Sequence, residues 1–71
     1  MMPRRLRFEG SGDFYLATLI HTVSNVLGAS PVYTALLVPR DKVIVVTDGD
    51  FERLAYSGHI GPQGLRDLGP I

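Results

Sequence analysis

The stretch FYLATLIHTVSNVLGASPVYTALLVP, residues 14–39, decides the fold, because it contains no Lys, Arg, Asp or Glu. A helix or sheet face that meets bulk water normally carries charged side chains. An uncharged span of this length in a 71-residue chain therefore needs cover on more than one side. We expect one side to pack in the core and another to be buried by a second chain.

The first half of this stretch predicts one long helix. Its apolar residues recur at helical spacing, and they are Leu16, Leu19, Ile20, Val23 and Leu27. Asp13 or Ser11 can cap the start, because a side-chain oxygen there accepts from unpaired backbone N–H groups. Gly28 is the expected end, and Pro31 follows it.

The side of this helix opposite the apolar stripe is a candidate interface. It carries Phe14, Thr18, His21 and Asn25. Interfaces are depleted in Lys, Glu and Asp and enriched in aromatic residues. We therefore predict that this side contacts a second copy, with a two-fold dimer as the first expectation. The alternatives are that these side chains face water, or that the C-terminal segment packs on them.

The second half of the stretch predicts a strand. Residues 32–38 and 43–47 are rich in β-branched residues, and the Pro39–Lys42 turn between them predicts a hairpin. One face of the first strand would carry Tyr33, Ala35 and Leu37, and the other Val32, Leu36 and Val38. Both faces are apolar, so a neighbour against the second face is a further possibility for the interface.

The N-terminal segment predicts a strand with one wet face. Leu6 and Phe8 alternate with charged residues between Arg4 and Glu9. Arg4, Arg5 and Arg7 could form a basic patch, and such clusters bind phosphates without sequence specificity. Charges on an exposed edge strand also deter pairing between molecules, which is the alternative explanation.

The C-terminal third has two interpretations. Phe51, Leu54 and Ala55 recur at helical spacing, and with Asp48 as cap and Gly58 as end they predict a short helix. The Asp-Gly pair at 48–49 is also a hairpin signal, which would make residues 51–56 a fourth strand. The helix is preferred. A final helical turn is expected after residue 61, where Pro would occupy the first helical position.

These elements predict one small α+β domain over residues 1–71. Their order is β-α-β-β-α, in two layers, with a three-stranded sheet, one long helix and a short C-terminal helical segment. The chain has no cysteine, so disulfides and thiolate metal sites are excluded. Without disulfides or a thiolate-bound metal to stabilise it, a domain with a core this small favours a homo-oligomer.

Charge and hydropathy limit the partners. Seven basic and seven acidic residues give a formal net charge of zero, so no global field attracts nucleic acid or an anionic membrane. No signal peptide and no membrane-spanning helix is expected, which predicts a cytoplasmic location. Nucleic acid is the less favoured partner, and a membrane is not expected.

No motif for catalysis, a cofactor or a metal stands out. Gly10-Ser11-Gly12 lies between a strand and the predicted helix, where backbone N–H groups can cradle phosphate. The dinucleotide pattern lacks its third glycine, because Tyr15 occupies that position. Asp48, Asp50 and Glu52 do not follow the calcium-loop pattern. His21 has Ser24 nearby but no acid, so an enzyme is the weaker class.

Residues 60–64, IGPQG, are similar to the Gly-x-x-Gly loop of KH domains, which clamps a nucleic-acid backbone. Pro62 and Gln63 bring no positive charge, and Asp67 stands where that family has an apolar residue. Membership of that family is therefore not inferred. The predicted function is non-catalytic self-association and binding. Binding of nucleic acid or a phosphate ligand through the basic patch or the Gly10–Gly12 turn is the alternative.

Overall fold

The computed structural model of the chain describes residues 2–21 and 32–71. These residues form five strands in two sheets and one helix in an α+β arrangement. The predicted β-α-β-β-α order with a single three-stranded sheet is therefore wrong. In chain order the elements are β1 (Arg4–Phe8), β2 (Phe14–His21), β3 (Val32–Pro39), β4 (Val43–Val46), α1 (Asp48–Tyr56) and β5 (Leu65–Pro70).

The first sheet has three antiparallel strands in the order β4-β1-β5. β1 is central, with Leu6 opposite Ile44 on one side and Arg7 opposite Arg66 on the other. The pairing of β1 with β5 shifts register after Arg5. The alternation of apolar and charged residues in β1 was expected, and it gives this sheet an inner and an outer face.

The second sheet is the pair β2-β3. The two strands are antiparallel and in register along eight residue pairs, from Phe14 opposite Pro39 to His21 opposite Val32. We call this pair the long hairpin. Because side chains alternate between the faces of a strand, Tyr15, Ala17 and Leu19 share one face of β2.

One hydrophobic core joins the inner faces of both sheets to the helix. The fully or nearly fully buried residues are Leu6, Phe8, Ala17, Leu19, Val38, Val46, Leu54 and Leu65. Every one of the six elements contributes at least one of them. The long hairpin therefore packs on the three-stranded sheet through one face only, and its other face points to solvent.

The short helix prediction is confirmed by α1, and the fourth strand over residues 51–56 is wrong. The cap is Thr47 and not the predicted Asp48, which is the first residue of the helix. The Thr47 hydroxyl accepts from the Asp50 N–H at 3.1 Å. Leu54 is fully buried and anchors the helix in the core. Gly58 follows with φ at +80°, a left-handed conformation that glycine adopts without strain.

The long helix prediction is wrong where the structure describes it, because Phe14–His21 is strand β2. Its remaining residues lie outside the described ranges. The expected hairpin of residues 32–38 with 43–47 is also wrong. Both segments are strands, but β3 pairs with β2 and β4 pairs with β1. Between them Asp41 adopts φ of +68° and the chain crosses from one sheet to the other.

The C-terminal helical segment is wrong as well. Residues 61–64 form a turn in which the Gly64 N–H donates to the Gly61 carbonyl at 3.1 Å. β5 follows it and pairs with β1, so the turn lies between a helix and a strand and not between two helices. Within residues 2–21 and 32–71, no helix is long and apolar enough to cross a membrane.

Candidate interaction surface

The long hairpin turns an apolar, uncharged face to solvent. Its exposed residues, which we call the outer hairpin face, are Phe14, Leu16 and Thr18 of β2 and Tyr33, Ala35 and Leu37 of β3. The four large ones are 57%, 60%, 63% and 57% exposed in the order Phe14, Leu16, Tyr33 and Leu37. None of the six carries a charge.

The strand register brings these side chains together. Leu16 lies opposite Leu37, and Thr18 lies opposite Ala35. Directly opposite residues of an antiparallel pair have Cβ atoms about 5 Å apart, so they form one continuous surface. Their neighbours in sequence, Ala17, Leu19 and Val38, are buried beneath them. The packing of the opposite side of the same two strands therefore supports this face from beneath.

The size of this surface sets what it can do. Its four large side chains leave on the order of 450 Å² of apolar area exposed, taking roughly 200 Å² for a side chain of this size. The largest apolar patch on a typical monomer is about 300–600 Å², and it often marks a binding site. A standard interface buries about 800 Å² on each partner, so this patch can form the centre of a small interface.

The structure places the predicted interface residues as follows. Phe14 and Thr18 lie on the outer hairpin face, and both are exposed. His21 is the last residue of β2, and Asn25 lies outside the described residues. Leu16 was expected in the core, and that expectation is wrong because it lies on the exposed side of a strand. Sequence reasoning on β2 missed it, because both faces of this strand are apolar and no alternation marks the exposed one.

The three N-terminal arginines do not share one face. Arg5 and Arg7 point outward, but Arg4 lies on the inner side of the sheet. There the Arg4 guanidinium contacts the Asp67 carboxylate at 2.6 Å and stacks 4.3 Å from the centre of the Phe51 ring. The Arg4 hydrogen bond is the main cause that holds the pKa of Asp67 below its ordinary value.

The outer side of the three-stranded sheet, which we call the arginine face, carries Arg5, Arg7, Arg66, Val43 and Val45. Glu9 accepts from the Arg66 guanidinium at 3.0 Å and from the Arg7 Nε at 2.6 Å. These two hydrogen bonds hold the pKa of the Glu9 carboxyl below its ordinary value. One carboxylate thus offsets part of the positive charge of this face.

The Gly10–Gly12 turn and the acidic residues at 48 and 50 have structural roles. Gly10–Gly12 leads into strand β2, so the helix start that a phosphate cradle would need does not follow it. Asp48 and Asp50 are acidic residues in the first turn of α1, where they complement the helix dipole. Asp50 also accepts from Arg53 at 3.0 Å.

One polar pair was not expected. The Tyr15 hydroxyl and the His59 Nδ1 are 2.8 Å apart in a partly buried position, so His59 has a partner far away in sequence. Gly64 packs against this pair, and a Cβ there would lie 3.0 Å from the Tyr15 hydroxyl. The pair therefore ties the turn after α1 to the inner face of β2.

Comparison with known protein families, curated protein sequences and solved structures finds no match to this chain.

Proposed function

We propose that this chain is a non-catalytic binding domain that self-associates through the outer hairpin face. One observation carries the proposal. The exposed residues of the long hairpin include four large apolar side chains and no charge, whereas the arginine face of the other sheet carries three arginines. The chain places charges on a sheet face that meets water, and their absence from the hairpin supports a buried role.

A second copy of this chain is the occupant that the chemistry favours. A face without charges offers no electrostatic pattern that would select a different protein. A two-fold axis places the same apolar patch on both sides, so each copy covers the other. Two hairpins stacked in this way lie about 10 Å apart, as sheets in a sandwich do.

The exposed apolar area is large enough for a dimer interface. About 450 Å² of apolar surface on each copy is close to the apolar share of a standard interface of about 800 Å² per partner. We expect association at micromolar chain concentration and separate chains at high dilution. A cytoplasmic location stays a prediction. Nucleic-acid or phosphate binding through Arg4, Arg5 and Arg7 is less favoured, because Asp67 and Glu9 pair with two of the three.

Sedimentation velocity tests the proposal over chain concentrations from about 1 µM to about 100 µM. The wild-type mass should rise from one chain to two across this range. Leu16→Glu combined with Leu37→Glu should stay at one chain, because four carboxylates would face each other in the dimer. Circular dichroism of the variant at low concentration checks that its fold is retained.

Tyr56→Glu is the matched control. Tyr56 is 95% exposed at the end of α1 and is not one of the six residues of the outer hairpin face. It should leave the dimerisation curve unchanged. A wild-type chain that sediments as one chain at every concentration would refute the proposal, and so would a Tyr56→Glu effect equal to that of the hairpin variant.

A further inference from the structure

The outer hairpin face alternates large and small residues from one row to the next. A row is a residue of β2 together with the β3 residue that lies opposite it. Leu16 and Leu37 form the leucine row, and Thr18 and Ala35 form the small row beside it. All four residues are exposed. Residues two positions apart on a strand lie about 7 Å apart, so the small row forms a shallow trough alongside the leucine row.

Two copies can stack these faces with their strands aligned in two ways. A two-fold axis between the faces lies parallel to both sheets, and it runs either along the strands or across them. An axis along the strands places each row over the same row of the other copy, so leucines meet leucines. An axis across the strands, between the two rows, places each leucine row over a small row. Stacked sheets lie about 10 Å apart and interdigitate when large side chains face small ones.

We propose that the two copies stack about an axis across the strands, so that Leu37 of one copy packs over Ala35 of the other. Leu16 packs over Thr18 in the same way. This arrangement rests on the proposed self-association, and it makes the small row the determinant of specificity. Ala35 and Thr18 leave the room that the leucines of the other copy fill. A face with large side chains opposite this trough is disfavoured, because overpacking forces side chains and backbone to shift.

Sedimentation velocity of the full chain from about 1 µM to about 100 µM tests this arrangement. Ala35→Leu should raise the dimer Kd about tenfold or more, because the larger side chain overlaps Leu37 of the other copy. With an axis along the strands, the same leucine would fill space over Thr18 and leave the Kd unchanged or lower. Thr34→Leu is the matched control and should dimerise like the wild type. Thr34 is also exposed, but it lies opposite buried Leu19 and therefore on the other face of the hairpin.

A second substitution should reverse the loss. In the chain with both Ala35→Leu and Leu37→Ala, the large and small positions of β3 are exchanged and the total side-chain volume is conserved. With the axis across the strands each leucine again faces a small residue, so most of the lost affinity should return. Leu37→Ala alone should weaken the dimer, since it removes apolar area from the face. Recovery in the double variant therefore reports the fit between the rows.

Pulsed electron paramagnetic resonance measures the direction of the axis without changing either row. The chain has no cysteine, so Asp13→Cys attaches one nitroxide label to each chain. Asp13 is exposed and directly precedes β2. An axis across the strands places the two labels at opposite ends of the stacked hairpins, about 30 Å apart, from eight residues at about 3.4 Å each and a sheet separation of about 10 Å. An axis along the strands places them at the same end, about 10–15 Å apart.

Several results would overturn the arrangement. These are an unchanged or lower Kd for Ala35→Leu, an equal effect of Thr34→Leu, no recovery in the double variant, or a label separation of about 10–15 Å. In each case a wild-type dimer that the Leu16→Glu, Leu37→Glu variant abolishes would leave the proposed self-association intact. A wild-type chain that sediments as one chain at every concentration would overturn the self-association and the arrangement together.

Discussion

Two leucines three residues apart in β2 provide the sharpest test of this fold. Leu19 is 5% exposed and packs in the core, whereas Leu16 is 60% exposed on the outer hairpin face. On a helix, residues three apart lie on the same side, so both would be buried together. On a strand they lie on opposite faces. Leu19→Ala and Leu16→Ala therefore separate the two structures.

The expected costs follow from burial. Replacing a buried leucine by alanine costs about 2–5 kcal/mol, since methyl groups leave the core and a cavity remains. A 71-residue domain has about 4–10 kcal/mol of stability in total, so Leu19→Ala removes a large part of it. Leu16→Ala should cost less than about 0.5 kcal/mol in the dissociated chain, the usual size for a surface change.

Urea denaturation followed by circular dichroism measures both, at a chain concentration low enough to keep the chains separate. The slope m should match the wild type, so that the midpoint alone reports stability. Leu19→Met serves as a control and should cost less than about 1.5 kcal/mol, because it conserves volume. Equal losses for Leu16→Ala and Leu19→Ala would refute the strand assignment of β2 and restore the helix.

Two further predictions concern the turn after α1 and the ion pair of β5. Gly64→Ala should cost about 1–3 kcal/mol in urea denaturation, because its Cβ would overlap the His59 carbonyl. Gly49→Ala, whose Cβ would make only an ordinary contact with the Arg53 guanidinium at 3.6 Å, should instead stabilise by about 0.5–1 kcal/mol. Arg4 lowers the pKa of Asp67 in the folded state, so their interaction is present above the ordinary value of 3.8 and is lost as pH falls below it. The unfolding free energy of the wild type should therefore decrease as pH is lowered below about 4, and that of Asp67→Asn should decrease less steeply. The same dependence on pH in the wild type and the variant would contradict this.

Local signals in the sequence predicted several elements correctly. The alternation in β1 identified Leu6 and Phe8 as its buried side, and both are in the core. The spacing of Phe51 and Leu54 identified α1. In each case one side of the element is apolar and the other polar, so the period of the pattern shows directly which secondary structure forms.

The helix prediction for the β2 segment was wrong because both faces of this strand are apolar. Leu16 and Leu19 fit a helical stripe, yet they also lie on opposite faces of a strand. When both faces are apolar the period of two leaves no contrast, and helix and strand cannot be distinguished by periodicity. This segment forms a strand because it pairs with β3 along eight residue pairs. No local feature of the sequence specifies that pairing.

The strand partners were wrong for a related reason. The turn at Pro39–Lys42 exists, and the Lys42 N–H donates to the Pro39 carbonyl at 3.3 Å. Turn residues report only the local change of direction, and a hairpin also requires that the two flanking strands pair. Here β4 pairs with β1, which is far away in sequence, and the turn moves the chain between sheets.

The pattern that hid the β2 strand is the same one that supports an interface. A hairpin needs only one apolar face to join the core, and Ala17, Leu19 and Val38 supply it. The apolar residues of the other face contribute nothing to the core of the single chain. A two-stranded sheet whose second face met water would gain solubility from charges there, as β1 does with Arg5 and Arg7. The proposed cover by a second copy would explain their absence, because a two-fold axis buries the same patch on both chains.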